Sequence, residues 1–253
     1  MSFKYVALKA AKSAGKILKS DFNNIDFVKN KGKHDIVSAS DYKSENVILN
    51  ILKSTFPDHT IVTEESGKQN RPSDYCWYVD PLDGTANFVA GIPYFSVSIA
   101  LSYRGEIILG VVFNPILNEL YRAEKGKGAF LNNKSIMVSK KKDLEDAFLS
   151  SAHSSNENNL KEALRIIGKL SLNSRKLLIS FSPALNLCNI ARGRLDGLVD
   201  IGTTPEDHAA GNIIVTEAGG KVQNYKSASW DVNKKGIIAS NGFLHTKILE
   251  IIK

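Results

Sequence analysis

Cysteine is scarce in this chain, and the two that are present, Cys76 and Cys188, lie far apart in apolar stretches. A disulfide framework or a thiolate metal site needs more cysteines at closer spacing, so we predict two reduced core residues. No apolar run approaches the ~20 residues that a membrane-spanning helix needs. The first 20 residues spread lysines through a helical pattern without the compact apolar core of a signal peptide, so we expect a cytoplasmic protein without membrane contact.

Acidic residues are outnumbered, since 26 aspartates and glutamates accompany 33 lysines and arginines, a formal net charge of +7. The basic residues are dispersed, however, and the densest run, Lys140–Lys142, is followed directly by acidic residues. This distribution disfavours a nucleic-acid-binding protein, although a non-catalytic RNA-binding protein stays open as an alternative from another functional class. A mildly basic surface equally suits a small anionic substrate.

The chain has no internal repeat, and its pattern changes near residue 140. Residues 29–40 form a lysine-rich segment that predicts a loop. The predicted helices are 3–21, 41–56, 158–170, 183–192, 207–218 and a terminal helix, and the predicted strands are 59–66, 76–80, a β-meander over 95–130, 148–152, 176–180, 196–201 and two more near the C-terminus. We therefore predict an N-terminal α+β domain, 1–140, and a C-terminal α/β domain, 141–253.

Acidic side chains stand where an apolar run ends, most clearly in WYVDPLDGTANF, residues 77–88. Asp80 and Asp83 are separated there by a Pro-Leu dipeptide and can converge, and converging carboxylates take up protons unless a cation compensates. Oxygen ligands without convergent histidines or cysteines favour a hard ion, Mg²⁺ before Mn²⁺ or Ca²⁺. Gly84 and Thr85 add backbone N–H groups and a hydroxyl at the same point, which suits metal-assisted phosphoester hydrolysis.

Other acids occupy similar positions, namely Glu64, Glu65, Asp200 and Asp207. Taken singly, each is more simply a solvated loop carboxylate, and Asp207 is also the first-turn acid that a helix dipole favours. Their positions at the ends of apolar runs make them candidates for the same kind of site as Asp80 and Asp83, and the residues alone leave open whether they meet.

Three segments in this order resemble the inositol monophosphatase family: TEES at 63–66, WYVDPLDGTANF at 77–88 and PEDHAAGNIIVTEAGG at 205–220. The resemblance extends from about residue 35 to residue 220. It implies a layered α-β-α-β-α sandwich of the sugar phosphatase type, with α+β and α/β parts. It also implies a homodimer and an Mg²⁺-dependent phosphomonoesterase that lithium inhibits.

The resemblance also implies a role for each matching residue. It implies two or three Mg²⁺ ions, with Mn²⁺ as an alternative: Glu64, Asp80 and the Leu82 carbonyl at the first, Asp80, Asp83 and Asp207 at the second, and Glu64 at a weaker third. Asp41 would accept a hydrogen bond from Thr85, and this pair, with Glu64, would form the catalytic group that activates a water. The implied substrate contacts are Asp83, Gly84, Thr85, Ser182, Ala184 and Asp200.

The segment LLISFSPAL, residues 177–185, departs from the family pattern, which often has small residues there. Pro183 has no N–H to offer a substrate, and Leu178 stands at what is often an arginine, for which Arg175 or Lys176 could compensate. Glu206 replaces a frequent tryptophan. Because none of these residues is a predicted metal ligand, the predicted phosphatase chemistry is unaffected and the substrate is left open.

The substrate prediction is a small polyol or sugar monophosphate, with inositol 1-phosphate preferred. DGTANF resembles the inositol phosphate and fructose 1,6-bisphosphate branches, and residues 199–207 supply no arginine for a second phosphate. Fructose 1,6-bisphosphate, nucleotides of the 3′-phosphoadenosine 5′-phosphate or NADP type and histidinol phosphate remain the alternatives.

Overall fold

The structure, a computed structural model, describes residues 2–32, 35–69, 73–154 and 156–253. The helices are α1 (Phe3–Asp21), α2 (Ala39–Thr55), α3 (Thr85–Val89), α4 (Glu157–Asn173), α5 (Pro183–Ala191), α6 (Pro205–Glu217) and α7 (His245–Ile252). The strands are β1 (Val28–Gly32), β2 (Asp35–Ser38), β3 (Thr60–Thr63), β4 (Gly67–Gln69), β5 (Tyr75–Asp83), β6 (Ser96–Tyr103), β7 (Glu106–Asn114), β8 (Glu119–Glu124), β9 (Ala129–Leu131), β10 (Lys134–Ile136), β11 (Phe148–His153), β12 (Lys176–Ile179), β13 (Gly197–Ile201), β14 (Lys221–Asn224) and β15 (Ile237–Ser240).

The two larger sheets and three layers of helices alternate through the molecule, and β1 and β2 form a separate two-stranded sheet. The first sheet has eight strands in the order β10-β9-β8-β7-β6-β5-β3-β4, and the second has five in the order β12-β11-β13-β15-β14. Helices α1 and α2 pack on one face of the first sheet, α5 and α6 lie between the two sheets, and α4 and α7 cover the far face of the second. The predicted α-β-α-β-α sandwich is confirmed.

The outer helices bury the apolar stripes that their sequences predict. In α1 the small and branched side chains Val6, Ala10, Ala14 and Leu18 recur at helical spacing and join the core formed with β5 and β6. None of the described helices combines the length and hydropathy that a bilayer crossing needs. The terminal helix α7 packs against α4, as its apolar pattern predicts.

The central helix α6 touches both sheets, which is why residues on it can reach a site built on the first. It packs against β5, β6 and β7 on one side and β14 and β15 on the other. The approach to β7 is so close that a Cβ on Gly110 would lie 2.6 Å from the carbonyl oxygen of Ala210, so only glycine fits there. One apolar cluster contains residues from both sides of residue 140, and the division into two domains stays a prediction.

The lysine-rich segment 29–40 differs from its prediction as a loop. Residues Val28–Gly32 and Asp35–Ser38 pair as the antiparallel strands β1 and β2, and Ala39 and Ser40 already belong to α2. The loop prediction is therefore wrong for the described part of the segment. The strand-forming side chains are the branched Val28, Ile36 and Val37, and lysines at an exposed ribbon protect it from pairing with other chains.

Candidate active site

Strand β5 carries the acidic turn at its end. It pairs with β6 in a register that shifts between Asp80 and Asp83, where one extra residue of β5 is accommodated as a bulge. The backbone N–H of Leu82 donates to Asp80 Oδ1 over 2.9 Å, which closes the turn. Both carboxylates are buried, Asp80 with 2% of its surface exposed and Asp83 with 1%. The predicted convergence of these two acids therefore has a local cause in the bulge.

Glu64 reaches the same point through parallel strand pairing. Strand β3 runs parallel to β5 with Thr63 opposite Val79, and the N–H of Glu64 donates to the carbonyl of Val79 over 3.2 Å. The residue after β3 consequently lies beside the end of β5, where Asp80 stands. In the sequence, Glu64 and Asp80 stand at the ends of two separate predicted strands. The parallel pairing of β3 with β5 brings them together.

Asp207 enters from the second half of the chain. It is the third residue of α6 and forms a capping box with Thr204, whose backbone N–H donates to Asp207 Oδ2 over 2.6 Å. Ser98 of β6 donates to the carbonyl of Glu206 over 3.3 Å, which holds the start of α6 on the first sheet. Asp207 can thus cap α6 and still take part in the acidic site.

Three carboxylates meet as a result. Glu64, Asp80 and Asp207 each offer an oxygen within 4.8 Å of the others, and among the described residues Asp83 is not part of this cluster. Burial raises the pKa of Asp80 well above its usual value, as do the charges of its acidic neighbours, and burial and Glu64 do the same for Asp207. Oxygens that share one Mg²⁺ at about 2.1 Å lie about 3 to 4 Å apart, so this donor set fits such an ion.

Asp83 stands beside the cluster and is held by protein donors. Ser96 donates to its Oδ2 over 2.8 Å, Ser182 donates to the same oxygen, and the N–H of Ala184 donates to Oδ1 over 3.3 Å. Burial raises the pKa of Asp83 to about 7 in spite of these hydrogen bonds. The group is therefore fixed in direction, with Oδ2 engaged by two hydroxyls and Oδ1 by one backbone N–H.

Asp41 and Thr85 form the predicted pair. Thr85 Oγ1 lies 2.8 Å from Asp41 Oδ1 and 3.1 Å from the carbonyl oxygen of Leu82. Asp41 is fully buried as the third residue of α2, and its Oδ2 accepts from the N–H and the hydroxyl of Ser38 over 2.8 and 2.6 Å. Burial raises the pKa of Asp41, against the hydrogen bonds from Ser38 and Thr85. Asp41 Oδ1 is therefore a fixed hydrogen-bond acceptor behind the hydroxyl of Thr85, and Thr85 lines the cleft described below.

Lys31 is a site residue that the sequence reasoning missed. Its ammonium lies 3.1 Å from Glu64 Oε1 and 2.5 Å from Glu65 Oε1. Burial disfavours the charged lysine, but these two acids outweigh it and hold its pKa above the usual value, while burial raises the pKa of Glu65 to about 7. In a segment with three lysines no pattern singles this one out, and only the β1–β2 pairing shows where it lies.

The three clustered acids line one cleft of 430 Å³, together with Lys31, Asp83 and Thr85. Its described lining is Lys31, Ile36, Glu64, Asp80, Leu82, Asp83, Gly84, Thr85, Ala86, Ala152, His153, Ser154, Ser180, Phe181, Pro183, Gly202, Thr203, Thr204 and Asp207. Gly84 has a φ of 95°, and a Cβ there would lie 3.1 Å from the carbonyl oxygen of Tyr94, so both its conformation and the close packing require glycine. A larger cavity of 740 Å³ beside α4 and α7 contains none of the clustered acids.

Three predicted substrate contacts do not line this cleft. Ser182 and Ala184 are completely buried, and both donate to Asp83. Asp200 is completely buried as well; its Oδ1 accepts from Thr203 over 2.6 Å and its Oδ2 has no hydrogen-bond partner. Burial raises the pKa of Asp200 to about 7. Their contact with substrate stays a prediction, and their observed neighbours suit a supporting position behind the cleft.

Neither cysteine takes part in the site. Cys188 is buried in the central apolar cluster, Cys76 is half-buried on β5, and both thiols are free. Cys188 thus has the predicted core position, while Cys76 is only partly covered.

Comparison with known proteins gives a consistent result. The sequence pattern of the inositol monophosphatase family matches residues 2–253. Inositol monophosphatase 2 of Solanum lycopersicum is 40% identical over 247 residues, which cover 94% of this chain and 93% of the relative. Nus factor SuhB of Pasteurella multocida is 36% identical over 252 residues, which cover 98% of this chain and 94% of that relative.

Solved structures agree with the sequence comparison. The IMPase of Thermotoga maritima superposes with a TM-score of 0.91 at 35% identity, covering 100% of this chain and 97% of the other. The extragenic suppressor protein suhB of Bartonella henselae gives a TM-score of 0.93 at 36% identity, covering 99% and 98% of the two chains. With its whole length matched and its acidic cleft in place, the chain belongs to the inositol monophosphatase family.

Proposed function

We propose that this protein is an Mg²⁺-dependent phosphomonoesterase that hydrolyses a small polyol or sugar phosphate, with inositol 1-phosphate as the preferred candidate. The observation that carries this proposal is the meeting of Glu64, Asp80 and Asp207 in a cleft that Thr85 also lines, with Asp41 hydrogen-bonded behind Thr85. Relatives named inositol monophosphatase and Nus factor SuhB match about equally well, so their names do not decide between catalysis and another role.

The acidic cluster suits divalent cations because it offers only oxygen. Glu64, Asp80, Asp207 and the Leu82 carbonyl would hold Mg²⁺, with Asp83 beside them. When bound, the metal neutralises these carboxylates and the phosphate and increases the acidity of water. Lys31 already compensates Glu64 and Glu65 in part and adds positive charge where an anionic substrate enters.

The Asp41–Thr85 pair would handle the proton of the attacking water. As the water oxygen forms its bond to phosphorus, its proton passes to Thr85 Oγ1 while the threonine proton passes to Asp41 Oδ1. The bond from phosphorus to the leaving oxygen then breaks, and the alkoxide takes a proton from solvent. The buried setting that raises the pKa of Asp41 makes it a better acceptor than a solvated aspartate.

The proposal is tested by phosphate release from a panel of monophosphates and bisphosphates with purified protein and Mg²⁺. We expect turnover of inositol 1-phosphate that EDTA abolishes and Mg²⁺ restores, with kcat/KM separating it from fructose 1,6-bisphosphate, nucleotides and histidinol phosphate. Absence of turnover across the panel, together with salt-sensitive RNA binding, would contradict the proposal and support the non-catalytic alternative. A homodimer and lithium inhibition stay predictions from the resemblance.

Mg²⁺ should stabilise the protein more at pH 8 than at pH 6. The pKa of Asp83 is raised to about 7, so its protonated form contributes stability that is complete below its unfolded pKa of about 4 and is lost as the pH rises through about 7. Asp80 and Asp207 shift in the same direction. Mg²⁺ must displace protons from these carboxyl groups at pH 6, whereas fewer of the groups are protonated at pH 8. We therefore expect the increase in Tm caused by Mg²⁺ to be about 3 °C larger at pH 8.

Differential scanning fluorimetry in 10 mM MgCl₂ (about this concentration suffices if the dissociation constant is near 1 mM) measures this difference. NaCl at matched ionic strength is the control for general salt effects. Equal Mg²⁺-induced shifts at the two pH values would show that protonation of the acidic cluster is not coupled to metal binding.

A further inference from the structure

The lining of the cleft contains apolar residues as well as acidic ones. Besides Leu82 and the glycines, the described apolar residues are Ile36, Ala86, Ala152, Phe181 and Pro183. Phe181 is the largest of them, and 53% of its surface is exposed, although an aromatic ring normally gains by being covered. An exposed phenyl ring at the edge of a polar cleft is a surface on which part of a ligand can pack.

Several polar groups of the cleft lining and of the segment next to Phe181 are engaged within the protein. The hydroxyl of Thr203 donates to Asp200 over 2.6 Å and that of Ser180 donates to Asn186 over 2.9 Å. Pro183 has no N–H, and Ala184 donates its N–H to Asp83. Recognition of a leaving group here consequently depends more on apolar contact than on a set of converging hydrogen bonds.

His153 leaves one polar atom for such a ligand. Its Nδ1 lies 3.1 Å from the carbonyl oxygen of Ser154, so in the neutral ring this nitrogen carries the proton and Nε2 is the acceptor. The side chain is half-buried in the lining of the cleft. A leaving group with one hydroxyl donor and a broad apolar face would match this arrangement.

Phe181 also lies next to the turn proposed to meet the phosphate. A Cβ on Gly84 would come within 3.3 Å of the carbonyl oxygen of Phe181 and 3.2 Å of Ser182 Cβ. The backbone of Phe181 therefore adjoins Gly84, and Phe181 lines the same cleft as Gly84 and Thr85. The ester group of a phosphate bound at the N–H groups of Gly84 and Thr85 would share this cleft with Phe181.

We propose that Phe181 determines specificity by packing against the ring of a cyclic leaving group, so that phosphate monoesters of cyclic alcohols are preferred to those of open-chain polyols. This inference rests on the proposed phosphomonoesterase function. The C–H face of a saturated ring covers about 50 Å² of a phenyl ring, which at about 25 cal/mol per Å² corresponds to about tenfold in affinity.

Three secondary-alcohol phosphates test the proposal, each compared between variant and wild type so that differences in leaving-group acidity cancel: cyclohexyl phosphate, inositol 1-phosphate and glycerol 2-phosphate. In Phe181→Ala we expect KM to rise about tenfold for the two cyclic substrates, while kcat changes little and glycerol 2-phosphate is unaffected. Phe181→Leu should recover part of the loss because it restores apolar volume. Phe243→Ala removes a ring that is 51% exposed outside the cleft lining and serves as the matched control.

Equal losses for all three substrates, or none, would overturn the proposal. A wild-type protein without any turnover would instead contradict the proposed function, and calorimetry then decides the role of Phe181 independently. With Mg²⁺ present, the wild type should bind cyclohexylphosphonate about tenfold more tightly than methylphosphonate, and Phe181→Ala should bind both alike. A preference that is absent in the wild type or that persists in the variant would reject Phe181 as the determinant.

Discussion

Replacing Asp80 with asparagine is expected to lower kcat/KM by at least about a thousandfold and to make the metal-free protein more stable. Asp80 shares the acidic cluster with Glu64 and Asp207, and an amide binds Mg²⁺ far more weakly than a carboxylate does. Asparagine keeps the shape and the acceptor for the Leu82 N–H. It removes a buried group whose pKa is raised well above its usual value by burial and by neighbouring acids.

The gain in stability follows from the sign of that pKa shift. A raised carboxyl pKa means that ionisation is less favourable in the folded than in the unfolded state, so stability is lost as the pH rises above the unfolded pKa of about 4. At pH 8 and without metal, removing the group should add about 1 to 3 kcal/mol to the free energy of unfolding. Urea unfolding with EDTA measures the stability, and phosphate release with Mg²⁺ measures the activity.

Asp196 provides the matched control because it is equally buried but fully compensated. Its carboxylate accepts from Lys141 over 2.9 Å, from the N–H of Phe148 over 2.7 Å and from the hydroxyl of Ser139 over 2.5 Å. Asp196→Asn should therefore destabilise the protein by about 1 to 3 kcal/mol and leave kcat/KM unchanged. If both asparagine variants change stability in the same direction, like-charge repulsion does not govern the behaviour of Asp80.

If Asp80→Asn stabilises the metal-free protein and Asp196→Asn destabilises it, the acidic cluster lowers the stability of the fold while serving the proposed function. The residues that bring Glu64, Asp80 and Asp207 together belong to ordinary structure: a parallel strand pair, a bulge and a capping box. Each feature is locally favourable, yet their sum places three acids within 4.8 Å of one another. The site is thus the place where good local geometry produces an unfavourable charge distribution that a cation can relieve.

Local sequence was sufficient for some of this site and insufficient for the rest. Asp80, Asp83 and Thr85 lie within six positions, so a turn after a buried strand predicts their proximity. Asp207 lies more than a hundred positions away, and only the resemblance to a family connects it with them. Strand alternation and helical spacing predicted most elements because the buried faces are continuous, as in α1.

The unpredicted features depend on tertiary pairing. The β1–β2 ribbon was not predicted because a lysine-rich sequence is typical of a solvent-exposed loop. Lys31 lies beside Glu64 only because this ribbon forms. Ser182 was predicted to contact substrate, but its hydroxyl is directed to Asp83. A buried acid needs donors, and which residues supply them cannot be read from spacing along the chain.

Thr85→Val and Asp41→Asn should each lower kcat by about a hundredfold to a thousandfold, and the double variant should be no slower than the worse single variant. The two side chains are joined by a 2.8 Å hydrogen bond and would act as one proton acceptor, so losing either removes the whole function. KM should change little, because neither variant removes a carboxylate of the metal cluster. Independent, multiplicative losses in the double variant would show that the two residues do not work together.

Stability measurements distinguish this catalytic role from a purely structural one. Ser38→Ala removes one of the two Ser38 hydrogen bonds to Asp41 Oδ2 and weakens the cap of α2, so it should cost about 1 kcal/mol of unfolding free energy. Because the Thr85 bond goes to the other oxygen, Oδ1, kcat in Ser38→Ala should fall far less than in Thr85→Val. If Ser38→Ala slowed turnover as much as Thr85→Val, the orientation of Asp41, and not proton transfer through Thr85, would limit the reaction.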